Sequence, residues 1–293
     1  MPHILKNKDF EIHIDHPLEG YNHSRFDWTS KIKTVNYKGI PLAGFELENQ
    51  GDDPNYGRGL FNEFGMNQPI GFDETPEGDH FHKIGVGLLK KEGTHFDFLK
   101  RYEVIPASFE VIEQDQKLII HCMAPEVRGY KYALRKEIVL IDNGFEIHYT
   151  LHNNGKKEIM TDEYNHNFIN IGGSTIGQDY GLKFPFELKS ELFEEKVNPQ
   201  SVVSISNHQM DFNHASDQHF FFSQLSGGKS VSASWTIENT KYLIGISETG
   251  DFECNKINVW GWKEVISPEL FYHLHMLPGK TLTWSRKYKI YSL

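Results

Sequence analysis

Cysteine is almost absent from this chain, with Cys122 and Cys254 the only two in 293 residues. Both lie in apolar, strand-like runs, so neither a disulfide framework nor a Cys-x-x-Cys metal or redox motif organises the fold, and buried reduced thiols are expected. No stretch approaches the roughly 18 consecutive apolar residues of a membrane span, and residues 1–8 lack the apolar core of a secretion signal. A cytoplasmic protein with no membrane partner is therefore expected. Positive charge is also in deficit. The 30 Lys and Arg stand against 40 Asp and Glu for a net charge of −10, the wrong sign for nucleic acid or an anionic surface. There is no Gly-x-Ser-x-Gly elbow and no glycine-rich phosphate loop opening a helix, which argues against acyl-enzyme and nucleotide chemistry. Long amphipathic helices are missing too; only Ser190–Lys196 reads as a short one.

What is abundant is aromatic residues and period-2 alternation. The 21 Phe and 13 Tyr favour strands. Phe145, Ile147, Tyr149 and Leu151 alternate with Glu146, His148, Thr150 and His152, as in a half-buried strand. Asp142-Asn143-Gly144 joins it to the preceding run, 136–141, as a hairpin. Further strands are expected at 117–123, 230–237, 241–247 and 281–291. In the last, Leu282, Trp284, Arg286, Tyr288 and Ile290 alternate, with Arg286 expected at a rim. Turns are expected at Asn153-Asn154-Gly155, Gly172-Gly173, Gly227-Gly228, Glu248-Thr249-Gly250 and Pro278-Gly279. The pattern predicts an all-β fold, a large antiparallel β-sandwich, as a single domain over residues 1–293 with no linker and no fixed-period repeat.

The 16 histidines raise a metal site. His80 and His82 share a strand face, as do His273 and His275, yet no pair carries the fuller spacing of a metal motif, and no bound metal is expected. Polar loops at 51–59 and 77–87 are candidate binding loops or plain solvated connections. The segment Thr161-Asp162-Glu163-Tyr164-Asn165-His166-Asn167-Phe168-Ile169 sets a histidine between two asparagines, whose amides can fix an imidazole's tautomer. About a hundred residues on, Ile266-Ser267-Pro268-Glu269 supplies an isolated carboxylate, with Trp260, Trp262 and Phe271 nearby in sequence. An acid and a base on distant strands, with aromatics to stack on a pyranose face, suit proton transfer on a hydroxyl-rich ligand.

These segments resemble the aldose 1-epimerase (galactose mutarotase) family. Asn165-His166-Asn167-Phe168-Ile169-Asn170 is similar to its Asn-His-x-Tyr-Phe-Asn segment. Residues 265–288 resemble its C-terminal run, a strand glutamate followed by Leu-x-Pro-Gly and a last strand. The resemblance spans roughly residues 39–291, sharp only at those two places, and looks most like the family's divergent branches. It implies a galactose mutarotase-like supersandwich that interconverts the α and β anomers of an aldose without any cofactor. His166 matches the general acid and Glu269 the general base, with opposite charges holding the pair as imidazolium and carboxylate. Arg58, in Tyr56-Gly57-Arg58-Gly59, matches the substrate-binding arginine, and His82, or else His80, the earlier histidine on the sugar. Asp217 matches the binding aspartate, and Asn165 is counted with the substrate-binding groups.

Departures from the family pattern bear on the substrate. Its Glu-Pro order is inverted at Pro268-Glu269, which keeps Glu264 as reserve base, and its second loop arginine is replaced within Gly59-Leu60-Phe61-Asn62-Glu63. A lone Arg58 favours a neutral sugar over a phosphorylated one. The alternatives are a non-catalytic carbohydrate-binding protein on the same sandwich, a polysaccharide lyase, which wants a more basic groove, and a metal-dependent jelly roll. The expected partner is a small sugar; oligomeric state is not legible.

Overall fold

The computed structural model describes residues 2–293. Its strands form four antiparallel sheets, and two of these make the sandwich. The larger runs in the order Val203–Ile205, Gln209–Phe212, Tyr180–Lys183, Val231–Asn239, Ile244–Cys254, Thr281–Ser292, Gly144–Asn153, Tyr132–Ile141, Lys117–Met123, Ser108–Gln114. The other runs His3–Lys6, Phe10–Asp15, Lys31–Tyr37, Leu60–Phe64, Ile159–Asn167, Tyr272–Met276, with the short strand Ile40–Pro41 beside Lys31–Tyr37. Alternation decides which side chains meet between them. Ile147, Tyr149 and Leu151 turn inward with Trp284, Tyr288 and Ile290, and the rings of Tyr149 and Trp284 stack 4.8 Å apart. The expected hairpin forms, Ile141 pairing with Gly144 across Asp142-Asn143.

The polar residues depart from the sequence reading. Arg286 is not at a rim; it is fully buried, forking onto Glu163 at 2.7 and 3.0 Å and onto Glu248 at 2.5 Å. Glu248-Thr249-Gly250 is no turn but the middle of Ile244–Cys254. Both misreadings have one cause: each group is the other's counter-ion, and a charge satisfied across the core looks like surface when read from one strand. The buried ionic layer continues through Lys136, 2.5 Å from Asp27, and through Lys83 and Arg25, each 3.1 Å from Glu63. Residues 77–87 are not only loop, because His80–Lys83 and Gly87–Lys90 pair as a hairpin. The expected helix at 190–196 is a single 3₁₀ turn, Ser190–Leu192.

A four-stranded sheet, Lys196–Val197, Phe220–Phe222, Ile257–Trp262, Val265–Leu270, meets the sandwich through the contact of Val265–Leu270 with Ile159–Asn167. Ile266 and Ile169 exchange backbone hydrogen bonds of 3.0 Å each, which docks the hairpin onto the chain just beyond Ile159–Asn167. That contact builds the site.

Candidate active site

Continuing the Ile169–Ile266 register along both strands sets Glu269 opposite His166 and Ser267 opposite Phe168. His166 and Glu269 fall at a position without backbone bonds, where facing side chains approach most closely. His166 Nε2 accordingly lies 3.5 Å from Glu269 Oε1. Ser267 Oγ lies 2.9 Å from His166 Nδ1 and accepts the Asn167 backbone N–H at 3.0 Å. Oγ has a second lone pair beside the one that takes the Asn167 hydrogen, and it can accept a hydrogen from Nδ1. The imidazole hydrogen then sits on Nδ1, and Nε2 is left as an open acceptor facing Glu269.

Alternation along Ile159–Asn167 separates two roles. Tyr164, His166 and Phe168 share the site face. His166 stacks on Phe168 at 4.1 Å and meets Trp260 and Phe26 edge-on at 5.2 and 5.9 Å. Gly57 lets the chain pass this box, since a Cβ there would come within 2.6 Å of Phe26 and 2.8 Å of Phe168. Asn165 and Asn167 point to the other face. Asn165 donates to Tyr288 Oη at 2.7 Å, and Asn167 Nδ2 reaches Glu248 at 2.9 Å and the Pro268 carbonyl at 2.8 Å. The asparagines therefore do not flank the imidazole's nitrogens. Ser267 takes that part, and Asn165 stands away from any ligand of His166.

Burial sets the electrostatics. His166 is 3% exposed and Glu269 4%. Loss of water pushes the Glu269 carboxyl up to about 8, against the opposing pull of the Arg25 guanidinium. The same desolvation, helped by Arg25, holds His166 well below its ordinary 6.5. Both shifts favour the uncharged forms, against the expected imidazolium–carboxylate pair, and in each case burial is the largest cause. The proton count is unchanged. The pair carries one exchangeable proton, and it rests on Glu269.

The other expected residues are scattered. Arg58 Nη1 is bound to Asp52 at 2.5 Å and its guanidinium lies 5.6 Å from the Phe45 ring. His82 is buried with Nε2 on the Tyr130 carbonyl at 3.1 Å, burial drawing it down to about 4. His80 is half-buried with Nε2 unpartnered. None of the three contacts His166 or Glu269. Asp217 is exposed on a loop, 2.9 Å from Lys263, though His219 beside it packs on Trp260 at 5.1 Å. Glu264 sits at the hairpin turn before Val265–Leu270, the far end of that strand from Glu269. Among the described residues no cluster of His, Cys, Asp or Glu could hold a metal ion.

Sequence reasoning passed over Arg25. It donates Nε to Glu63 at 3.1 Å and Nη1 to Glu46 at 2.9 Å, lies over Phe26 at 4.4 Å, and its charge reaches both members of the pair. Its signal was a lone arginine in Ser24-Arg25-Phe26-Asp27-Trp28, where aromatic neighbours mark a buried segment.

No family model matches the chain, and no curated protein matches it by sequence. Solved structures match in fold along its whole length. A galactose mutarotase-like protein from Lactobacillus casei is 13% identical, covering 99% of this chain and 100% of that one at a TM-score of 0.62. A galactose mutarotase related enzyme from Lactobacillus acidophilus is 12% identical over 98% of this chain and 97% of that one, with a TM-score of 0.59. A galactose mutarotase-like protein from Clostridium acetobutylicum is 13% identical over 99% and 95%, at 0.57. The galactose mutarotase-like β-sandwich is thus the fold of this chain.

Proposed function

We propose that this chain is an aldose 1-epimerase whose reacting pair is His166 and Glu269. The observation that carries the reading is the buried contact between them, 3.5 Å from Nε2 to Oε1, on strands brought together from a hundred residues apart. Ring opening needs two proton transfers, one at each of the two oxygens on the anomeric carbon. One group takes the proton of the anomeric hydroxyl while the other protonates the ring oxygen. The C1–O5 bond breaks as its electron pair moves to O5, and C1=O1 forms. Rotation about C1–C2 and the reverse transfers close the ring on the other face. A pair with a single exchangeable proton, one group able to give and the other to take, meets this need in either direction.

Burial alters the roles carried by the family resemblance. With the proton resting on Glu269, that residue is the first donor in the closed site and His166 the first acceptor. The chemistry needs no further group, since each positioned acid or base contributes about 10² to 10⁴ in rate to a reaction that already runs in water. Trp260, half-buried and edge-on to His166, supplies an apolar face for a pyranose.

The enclosure of the pair favours one other reading, a carbohydrate-binding protein that holds a sugar without turnover. Glu269→Gln separates the two, because it removes proton transfer and keeps hydrogen bonding. Lost exchange with retained sugar binding supports the epimerase. Unchanged exchange eliminates Glu269 from the reaction.

A further inference from the structure

One face of the hairpin Ile257–Trp262 and Val265–Leu270 is turned to the imidazole. Its register pairs Trp260 with Ser267 and Asn258 with Glu269. Directly opposed residues share a face of the sheet, so these four side chains stand together. Three of them meet His166: Trp260 edge-on at 5.2 Å, Ser267 at 2.9 Å and Glu269 at 3.5 Å. The fourth, Asn258, is a buried amide in the otherwise apolar run Ile257-Asn258-Val259, and it reaches the pair through Glu269.

A buried amide is oriented by what its two ends must meet. Asn258 Oδ1 accepts the Gln224 backbone N–H at 3.3 Å, which decides how the amide is turned and leaves Nδ2 as the donor. Gln224 stands in the left-handed region at a φ of 57°, where a non-glycine residue stays only if its neighbours hold it. The next N–H, that of Leu225, is fixed on the Ile257 carbonyl at 2.9 Å. A second segment of chain thus clamps the amide from behind. In front, the Asn258 side chain hydrogen-bonds the Glu269 carboxyl. Burial acts most strongly on that carboxyl, the charges of Arg25, Glu63 and Lys256 come next, and the Asn258 bond then pulls its pKa down, the sign of an N–H donated to it.

A protonated carboxyl has one good acceptor, its carbonyl oxygen, and one donor, its hydroxyl. An N–H donor takes the first and leaves the proton on the second. We infer that Asn258 is a positioning residue of the reaction: its amide N–H holds the carbonyl oxygen of Glu269, so that the hydroxyl is presented on Oε1, toward His166 and the oxygens of the sugar. The inference rests on the epimerase reading and adds a residue to it. A donor then faces an acceptor at every step, from the Gln224 N–H to Asn258, from Asn258 to Glu269, from Glu269 to His166 Nε2 and from Nδ1 to Ser267.

Two measurements test it, and one of them does not depend on turnover. The Asn258 side-chain amide resonances of the wild-type protein are followed by NMR through the Glu269 titration near pH 8, with Glu269→Gln as reference. The expected result is an amide shift that follows this titration in wild type and is absent in Glu269→Gln. Anomer exchange is then measured against pH on Asn258→Leu, which fills the same space and donates nothing. Its kcat falls by about threefold to tenfold, the weight of one hydrogen bond, KM is retained, and the alkaline limb moves to higher pH because a bond that held the pKa down is gone. A merely structural asparagine would lower thermal stability and leave kcat per folded molecule and the alkaline limb where they are. That outcome, or a wild-type amide that stays flat through pH 8, overturns the inference and leaves the epimerase reading standing. If wild type exchanges no sugar, the epimerase reading fails by itself and the amide titration decides whether Asn258 orients Glu269. A shift that Glu269→Gln abolishes upholds that role, and a flat resonance removes it.

Discussion

Ser267 Oγ meets His166 Nδ1 at 2.9 Å, and the Asn167 N–H fills the other side of that oxygen. The serine is fully buried, so no water can stand in for it. Ser267→Ala leaves Nδ1 unpaired and frees the imidazole to change tautomer. One neutral hydrogen bond is worth about 0.5–1.5 kcal/mol, so kcat should fall by roughly threefold to tenfold. KM and the fold should be retained. A merely structural serine would lower thermal stability and leave kcat per folded molecule unmoved.

The pH profile follows from the shared proton. The pair is competent while it holds one exchangeable proton, between the low His166 titration and the Glu269 titration near 8. Activity should hold at neutral pH and be lost as pH rises through about 8. Arg25 works against the rise in the Glu269 pKa, so Arg25→Met should move the alkaline limb to higher pH and Arg25→Lys leave it in place. Rate measurements against pH on both variants check the sign.

Stability carries the same titration. In the unfolded chain Glu269 loses its proton near 4.5, and in the folded protein near 8. Its protonated form is the one the fold accepts. The stability tied to it is full below pH 4.5 and is lost as pH rises through about 8. Glu269→Gln cannot ionise and escapes that loss. It should melt higher than the parent at pH 8 and show no such gain at pH 4, by roughly 2–4 °C for each kcal/mol recovered. Turnover should drop by about 10² to 10⁴ in the same variant.

Arg286 tests the buried ionic layer. Arg286→Met leaves Glu163 and Glu248 without their cation in a site closed to water. Removing one partner of a buried pair costs about 3–5 kcal/mol. Denaturant unfolding of the variant should show a loss of that order, and a loss under about 1 kcal/mol would mean that water reaches the carboxylates.

How far the sequence could be read follows from these residues. Alternation made the strands and the hairpin at Asp142-Asn143 legible, because apolar faces and turn residues are local signals. It also placed Arg286 on the face of Trp284 and Tyr288, as the structure has it, and only its charge argued for a rim. The missing knowledge was its partners, Glu163 and Glu248, which arrive from other strands. His166 and Glu269 were legible by resemblance, and one strand register brings them together. Their protonation was not legible, because burial of the pair depends on Phe26, Phe168 and Trp260 closing around it. Ser267 lay within the C-terminal run that carries the resemblance but had no role there, and Arg25 lay outside the resemblance altogether. Arg58 and His82 lay inside it, and the fold engages them elsewhere.

The central claim is that one proton shared by His166 and Glu269 interconverts the anomers of a sugar. Anomer exchange followed by NMR on wild type, His166→Ala and Glu269→Gln tests it most directly. The account predicts exchange above the buffer rate for wild type, with both variants falling to about one per cent of the wild-type enzymatic rate or below, the 10²-fold or greater loss of a positioned acid or base. Exchange that persists in either folded variant would contradict it.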